Sequence, residues 1–118
     1  MKSLHDFREI YLHKGPVDGR KLIRGLSAVA QGCMPTPPFS GALFVFTSRK
    51  RDTIRLLYWD RTGFALWIKQ LQSERFLWPK RFDGDVITLS VAQLEWLLDG
   101  LDITRMKPHE TLHYAAVS

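Results

Sequence analysis

One cysteine in 118 residues, Cys33, leaves no partner for an internal disulfide and fits a reducing, cytoplasmic setting. It lies between Gly32 and Met34 with no base beside it, so it reads as a small packing residue and not as a nucleophile. No apolar run approaches the roughly 20 residues of a membrane-spanning helix. The opening stretch MKSLHDFREIYLHKG carries charges throughout, unlike a secretory signal. A phosphate-cradling glycine loop, a nucleophile elbow and a paired-cysteine zinc pattern are all missing. Internal repeats, low-complexity segments and a linker are missing too, and MPTPPF at 34–39 is the only proline-rich stretch. What remains is an ordinary globular balance, 45% hydrophobic and 25% charged, in a chain long enough to bury a core unaided. The expected organisation is a single α+β domain over 1–104 with a flexible tail at 105–118.

Charge is present in excess of one sign, +5 in total, and it is unevenly placed. Residues 47–81 hold nine Lys or Arg against three acids, whereas 82–104 hold five acids and no Lys or Arg. Such asymmetry points to a polyanionic partner for the basic half, against the plainer reading of a mixed, solvated surface.

Local patterns predict an antiparallel β-meander of about four to six strands with a helix in the N-terminal half, about 18–31, and a C-terminal helix, about 90–99. REIYLH at 8–13 is the candidate first strand. Asp18 is a good N-cap, Val17 with Leu22 a hydrophobic staple, and Gly32 a helix stop. Leu22, Ile23, Leu26, Val29 and Ala30 recur at helical spacing and are expected to face the core. Arg20 and Arg24 then form a like-charge pair in the first turns, where the helix dipole also disfavours cations. Such a pair marks either a partner or a tertiary ion pair. GALFVF and TIRLLYW flank a polar tip carrying Arg49, Lys50 and Arg51, as a hairpin would. DRTG at 60–63 is expected to turn with its glycine in the left-handed region. FALWIKQL at 64–71 fits both a helix and a strand, and the turn before it favours a strand. RFLWP at 75–79 supplies a fourth short strand, ended by Pro79, and VITL at 86–89 is expected to add an edge strand. Ser90 and Gln93 form a capping box, Leu89 and Leu94 a staple, and Gly100 a C-cap. Val91, Leu94, Leu97, Leu98 and Leu101 form one apolar stripe, leaving Trp96 outward beside Glu95 and Asp99, a candidate protein contact.

Few residues suggest catalysis. HETLH at 109–113 fits the H-E-x-x-H zinc pattern, but a catalytic zinc takes a third protein ligand, and only YAAVS follows His113. It is read as a chance match in a polar tail. Asp60, Asp83 and Asp85 are better used in turns than as a two-metal site. No cofactor or metal is expected. Nucleic-acid binding has more support, because phosphates need Lys and Arg and unstacked bases need aromatic faces. The candidate DNA-contacting residues are Arg20, Lys21, Arg24, Arg49, Lys50, Arg51, Arg55, Lys69, Arg75, Lys80 and Arg81. Tyr58, Trp59, Trp67 and Trp78 are interleaved among them and offer stacking as a secondary idea, since aromatics in strands are more often core.

Three ordered blocks carry a stronger signal. Gly15, Asp18, Arg20 and Lys21 form G-x-x-D-x-R-K. Phe39, Gly41, Leu43, Phe44, Val45 and Phe46 form F-x-G-x-L-F-V-F. Tyr58, Trp59, Asp60, Gly63 and Phe64 form Y-W-D-x-x-G-F. With RFLWP and LSVAQLEWLLDGLD following, the chain over about 9–103 resembles the TnpB-type accessory protein of IS66-family insertion sequences, which is distinct from the RNA-guided nuclease of the same name. Gly19, where methionine is common, and a longer, less basic C-terminal tail depart from the pattern. The resemblance implies a small bacterial companion of a separate DDE transposase, assisting transposition without catalysing strand transfer. The expected partners are DNA at the element ends and the transposase. The alternative is an adaptor that docks the transposase, through Trp96 or a sheet edge, without touching DNA.

Overall fold

Runs of β-branched and aromatic residues build a five-stranded sheet: β1 (Ile10–His13), β2 (Leu43–Thr47), β3 (Thr53–Asp60), β4 (Gly63–Gln70) and β5 (Val86–Leu89). The computed structural model describes residues 3–72, 75–79 and 84–103. The strand order is β4-β3-β2-β1-β5, so VITL is an edge strand as its sequence suggests. Residues 64–71 are resolved in favour of a strand, with β4 pairing antiparallel along β3 from Thr53–Gln70 to Asp60–Gly63. The β2–β3 pair is the expected hairpin. The sheet is mixed, however, and not a pure antiparallel meander, because β1 and β2 run parallel with Ile10 opposite Leu43. Residues 14–42 join them and contain α1 (Ile23–Cys33), and a crossover of that length lets β2 start from the same end as β1.

Both sheet faces are covered. Leu43, Val45, Ile54, Leu56 and Tyr58 join Leu94 and Leu97 of α2 (Val91–Leu98) in one core cluster. Phe44, Phe46 and Leu57 join Leu26 and Ala30 of α1 in the other. Every residue of β2 is buried, the continuous apolar run expected of a strand with two dry faces.

The helices depart from expectation at their edges. Helix α1 begins five residues beyond Asp18, and its N-cap position, Leu22, makes no side-chain cap bond. Asp18 instead closes a local turn, its Oδ1 accepting the Arg20 backbone N–H at 2.9 Å. Leu22 and Ile23 are therefore exposed, while Leu26 and Ala30 are buried as their spacing implies. Gly32 lies inside the helix, which stops at Met34 before Pro35. Helix α2 follows its sequence closely, with the Ser90–Gln93 capping box formed and Gly100 at φ +84° just past its end. Leu101 is exposed, not part of the stripe.

The left-handed residue at the β3–β4 turn is Arg61, at φ 56°, while Gly63 already pairs with Asp60 as the first residue of β4. Residues 75–79 form no strand. Phe76 and Trp78 are buried there, and the segment is tied by Phe76 N–H to the Arg51 carbonyl and by Trp78 Nε1, which donates to the Lys14 carbonyl at 2.9 Å. Pro79 has no N–H to offer a ladder.

Candidate nucleic-acid interface

The basic tip is held by its neighbours. The Arg51 N–H donates to the Ser48 carbonyl at 3.0 Å, and Arg51 takes φ 59° to close the turn. Asp52 Oδ1 accepts from the Ser48 and Thr53 hydroxyls, so the one acid at the tip is engaged locally. Arg49 and Lys50 are exposed and Arg51 is half-buried. Arg75 is exposed beside them, brought in by the bond from Phe76 to Arg51.

The 16–21 loop reaches the same end of the sheet. Val17 is buried, and its N–H donates to the Thr47 carbonyl at the end of β2, 2.9 Å away. Between this loop and the tip lies a pocket of about 390 Å³ lined by Pro16, Val17, Asp18, Gly19, Arg20 and Arg49. Arg20 and Arg49, 29 positions apart, thus border one concavity. Asp18 Oδ2 meets Arg20 Nη2 at 2.9 Å. Hydrogen bonds from the Arg20 side chain, then from its backbone, hold the Asp18 carboxyl well below its ordinary range, at about 2. Arg20 is therefore on the loop and paired locally, not stacked over Arg24 on a helix. Lys21 and Arg24 are exposed where the chain enters α1.

Arg55 is the unexpected member. Its position in β3, opposite Phe46 and Ile68, points it to the α1 face, where it is only 7% exposed. Nη2 donates to the Gly19 carbonyl at 2.6 Å, one hydrogen bond from the pocket wall, while Nε and Nη1 are buried with no acceptor among the described residues. Two such donors cost about 1–3 kcal/mol each. As a residue for direct surface contact Arg55 is therefore misplaced. The clue was that a sheet covered on both faces makes every central position an inward one, and that coverage was not readable locally.

Other candidates lie elsewhere. Lys69, beside Ile54 in the register, sits on the α2 side, where its Nζ donates to the Leu98 carbonyl at 2.9 Å and caps α2. Lys80 and Arg81 lie outside the described residues, as do Asp83 and HETLH at 109–113. Among the described residues no group of three or more His, Cys, Asp or Glu could hold a metal ion. Cys33 is exposed at the end of α1, not packed as its sequence suggests, and partial desolvation, then the charge of Asp85, pushes its thiol up, away from thiolate chemistry. Tyr58 and Trp78 are buried, and Trp67 packs partly on the core, so these three do not present stacking faces. Trp96 is likewise half-buried against the α2-side cluster, not outward.

The opposite end of the sheet carries an aromatic cluster that no local sequence pattern announces. Phe39, Trp59 and Phe64 pack together with ring centroids 5.1, 5.9 and 5.0 Å apart, and Phe39 is 62% exposed. Gly41, at φ +88°, turns the chain from Phe39 into β2, a backbone that favours glycine.

Residues 8–108 match the family described as IS66 Orf2 like protein. The chain belongs to that family. It is thereby an accessory protein associated with IS66 transposition. It is 37% identical over 92 residues to the uncharacterized protein y4jC of Sinorhizobium fredii (strain NBRC 101917 / NGR234), covering 78% of each chain. It is 33% identical over 93 residues to y4hO of the same strain, also an uncharacterized protein, covering 79% of this chain and 80% of that one. No solved structure matches the chain. Within this IS66 Orf2-like protein the three sequence blocks acquire distinct places. Asp18 and Arg20 of the first shape the basic pocket, while Phe39, Trp59 and Phe64 of the other two meet in the aromatic cluster. No helix among the described residues is long and apolar enough to cross a membrane.

Proposed function

We propose that this IS66 Orf2-like protein is a non-catalytic transposition factor that binds DNA at the element ends through the basic end of its sheet. The observation that supports this most is the meeting of Arg20 from the 16–21 loop with Arg49 of the hairpin tip, alongside exposed Lys50 and Arg75. Lys21, Arg24 and Arg51 extend that surface. Lys69 does not belong to it, because its charge is used on α2. Fluorescence anisotropy against labelled element-end DNA and a scrambled duplex, across a salt series, tests the reading. Replacing Arg49, Lys50 and Arg51 together by Ala should weaken binding to both duplexes alike and reduce the magnitude of the salt slope by roughly 2 to 3, about 0.9 per phosphate contact. An unchanged slope in a folded variant refutes the tip's role. Metal analysis of purified protein should return no stoichiometric zinc; one zinc per chain would bring His109 and His113 back as ligands.

A second reading, docking of the DDE transposase, draws on exposed Phe39, which packs on half-buried Trp59 and Phe64, rather than on Trp96, which packs against the α2-side core. Exposed aromatics of this kind are favoured as interface anchors. Phe39→Ala should abolish transposase co-purification while leaving DNA binding intact; retained co-purification sinks this site.

A further inference from the structure

Buried charges in folded proteins are normally paired, and buried donors normally have acceptors. Arg55 breaks both rules on two of its three nitrogens, and its third is bonded to Gly19, a residue of the pocket wall. We propose that Arg55, together with Arg20 and Arg49, forms a binding site for one phosphate group in the pocket between the 16–21 loop and the hairpin tip. Arg20 and Arg49 line the pocket and Arg55 stands behind its Gly19 wall, three guanidinium groups against one carboxylate, Asp18, among the described residues there, a surplus of two positive charges. That surplus accommodates a phosphate, either a singly charged backbone diester or a terminal or free phosphate at about −1.5 to −2. The planar guanidinium fork matches phosphate oxygens two at a time. The 390 Å³ volume falls within the roughly 300–1,000 Å³ of small-ligand sites, room for a phosphate with part of its sugar.

Access has a simple route. The Gly19 carbonyl is the acceptor now on Arg55 Nη2, and Gly19 is exposed. A phosphate oxygen makes a charge-assisted bond about twice as strong as a neutral one, so it displaces that carbonyl as the loop turns aside. The phosphate belongs either to a nucleic-acid strand, which deepens the DNA-binding reading and rests on it, or to a free phosphate species.

Arginine Nε–H resonances of the intact protein test the site, titrated in turn with inorganic phosphate, a 5′-phosphorylated duplex and the same duplex without terminal phosphates. The expected result is a saturable shift of the Arg55 Nε–H with phosphate, and at least tenfold weaker phosphate binding in Arg55→Met and in the exposed-rim variant Arg20→Ala/Arg49→Ala. Lys69→Ala, on the α2 side and outside the basic end, should bind phosphate as the wild type does. Shifts with both duplexes assign the ligand as a backbone phosphate; a shift with only the phosphorylated duplex assigns a strand end. If inorganic phosphate shifts Arg55 and neither duplex binds, the site stands and the DNA reading falls. If both duplexes bind while Arg55 stays unmoved and Arg55→Met loses nothing, the DNA reading stands and the phosphate site is overturned, with water satisfying the orphaned donors. Should Arg55→Met fail to fold, the rim variant decides: undiminished phosphate binding there overturns the site.

Discussion

Arg55→Met separates what the buried guanidinium does for the fold from what it does for binding. The substitution removes Nε and Nη1, two buried donors without acceptors, whose desolvation costs about 1–3 kcal/mol each. It also removes the bond from Nη2 to the Gly19 carbonyl, worth about 1.5–3 kcal/mol for a charged donor. Gly19 is exposed, so water can take over that carbonyl. Methionine is unbranched and flexible enough to fill the space beside Phe46 and Ile68. The balance runs from near zero to about 4 kcal/mol in favour of the variant. For a domain of this size each kcal/mol moves Tm by about 4 °C. Thermal and urea unfolding in phosphate-free buffer should therefore show Arg55→Met unchanged or several degrees more stable. Leu56→Ala, one residue along the same strand and fully buried, should lose about 2–5 kcal/mol. A loss of 2 kcal/mol or more in Arg55→Met would refute the reasoning, because it would mean that the guanidinium has structural partners.

Asp18→Asn should strengthen DNA binding at pH 7 and steepen its salt dependence, since it removes the one carboxylate among the described residues lining the pocket while Asn can still accept the Arg20 N–H; weaker binding by anisotropy would count against the pocket. The wild-type carboxyl should titrate at about 2 in a carbon-detected NMR titration, below its ordinary 3.8. Because the folded value is the depressed one, the pair's contribution is present above about pH 4 and is lost as pH falls towards 2, an effect that added salt should shrink at this exposed site. Ser90→Ala removes the side-chain acceptor for the Gln93 N–H and should cost about 1 kcal/mol in urea unfolding, with no change in DNA affinity.

Much of this fold was legible because it is written in local chemistry. The Ser90–Gln93 box, Gly100 after α2 and the polar tip between two β-rich runs all depend on residues within a few positions of one another. What was not legible depends on distant surfaces. Asp18 satisfies the rules for an N-cap, yet Arg20 beside it offers both a backbone and a side-chain donor, and the competing local turn prevails. The parallel β1–β2 pairing follows from where α1 packs, which strand patterns alone do not state. Arg55 and Trp96 failed for the same reason, since exposure of a strand or helix position is set by what covers that face. The basic tip was found from charge alone, whereas the pocket needed the Val17–Thr47 bond that brings residues 16–21 over the end of β2.

The two surfaces lie at opposite ends of one long strand. Eight residues of β3 separate the tip at Arg51 from the turn at Arg61, and at about 3.3 Å per residue this is roughly 25 Å. That distance exceeds the Debye length of about 8 Å at physiological salt, so the charges of the tip are screened from the aromatic cluster. It also exceeds the distance of about 7–10 Å beyond which mutational effects add. If the basic end holds DNA and the aromatic end holds a protein, the two can be engaged together. Arg49→Ala and Trp59→Ala should then be additive in a ternary pull-down of labelled DNA through tagged transposase, each lowering its own binary interaction alone. A coupling of 1 kcal/mol or more between them, about a fivefold departure from additivity, would mean that one partner spans both ends or that β3 transmits a change between them.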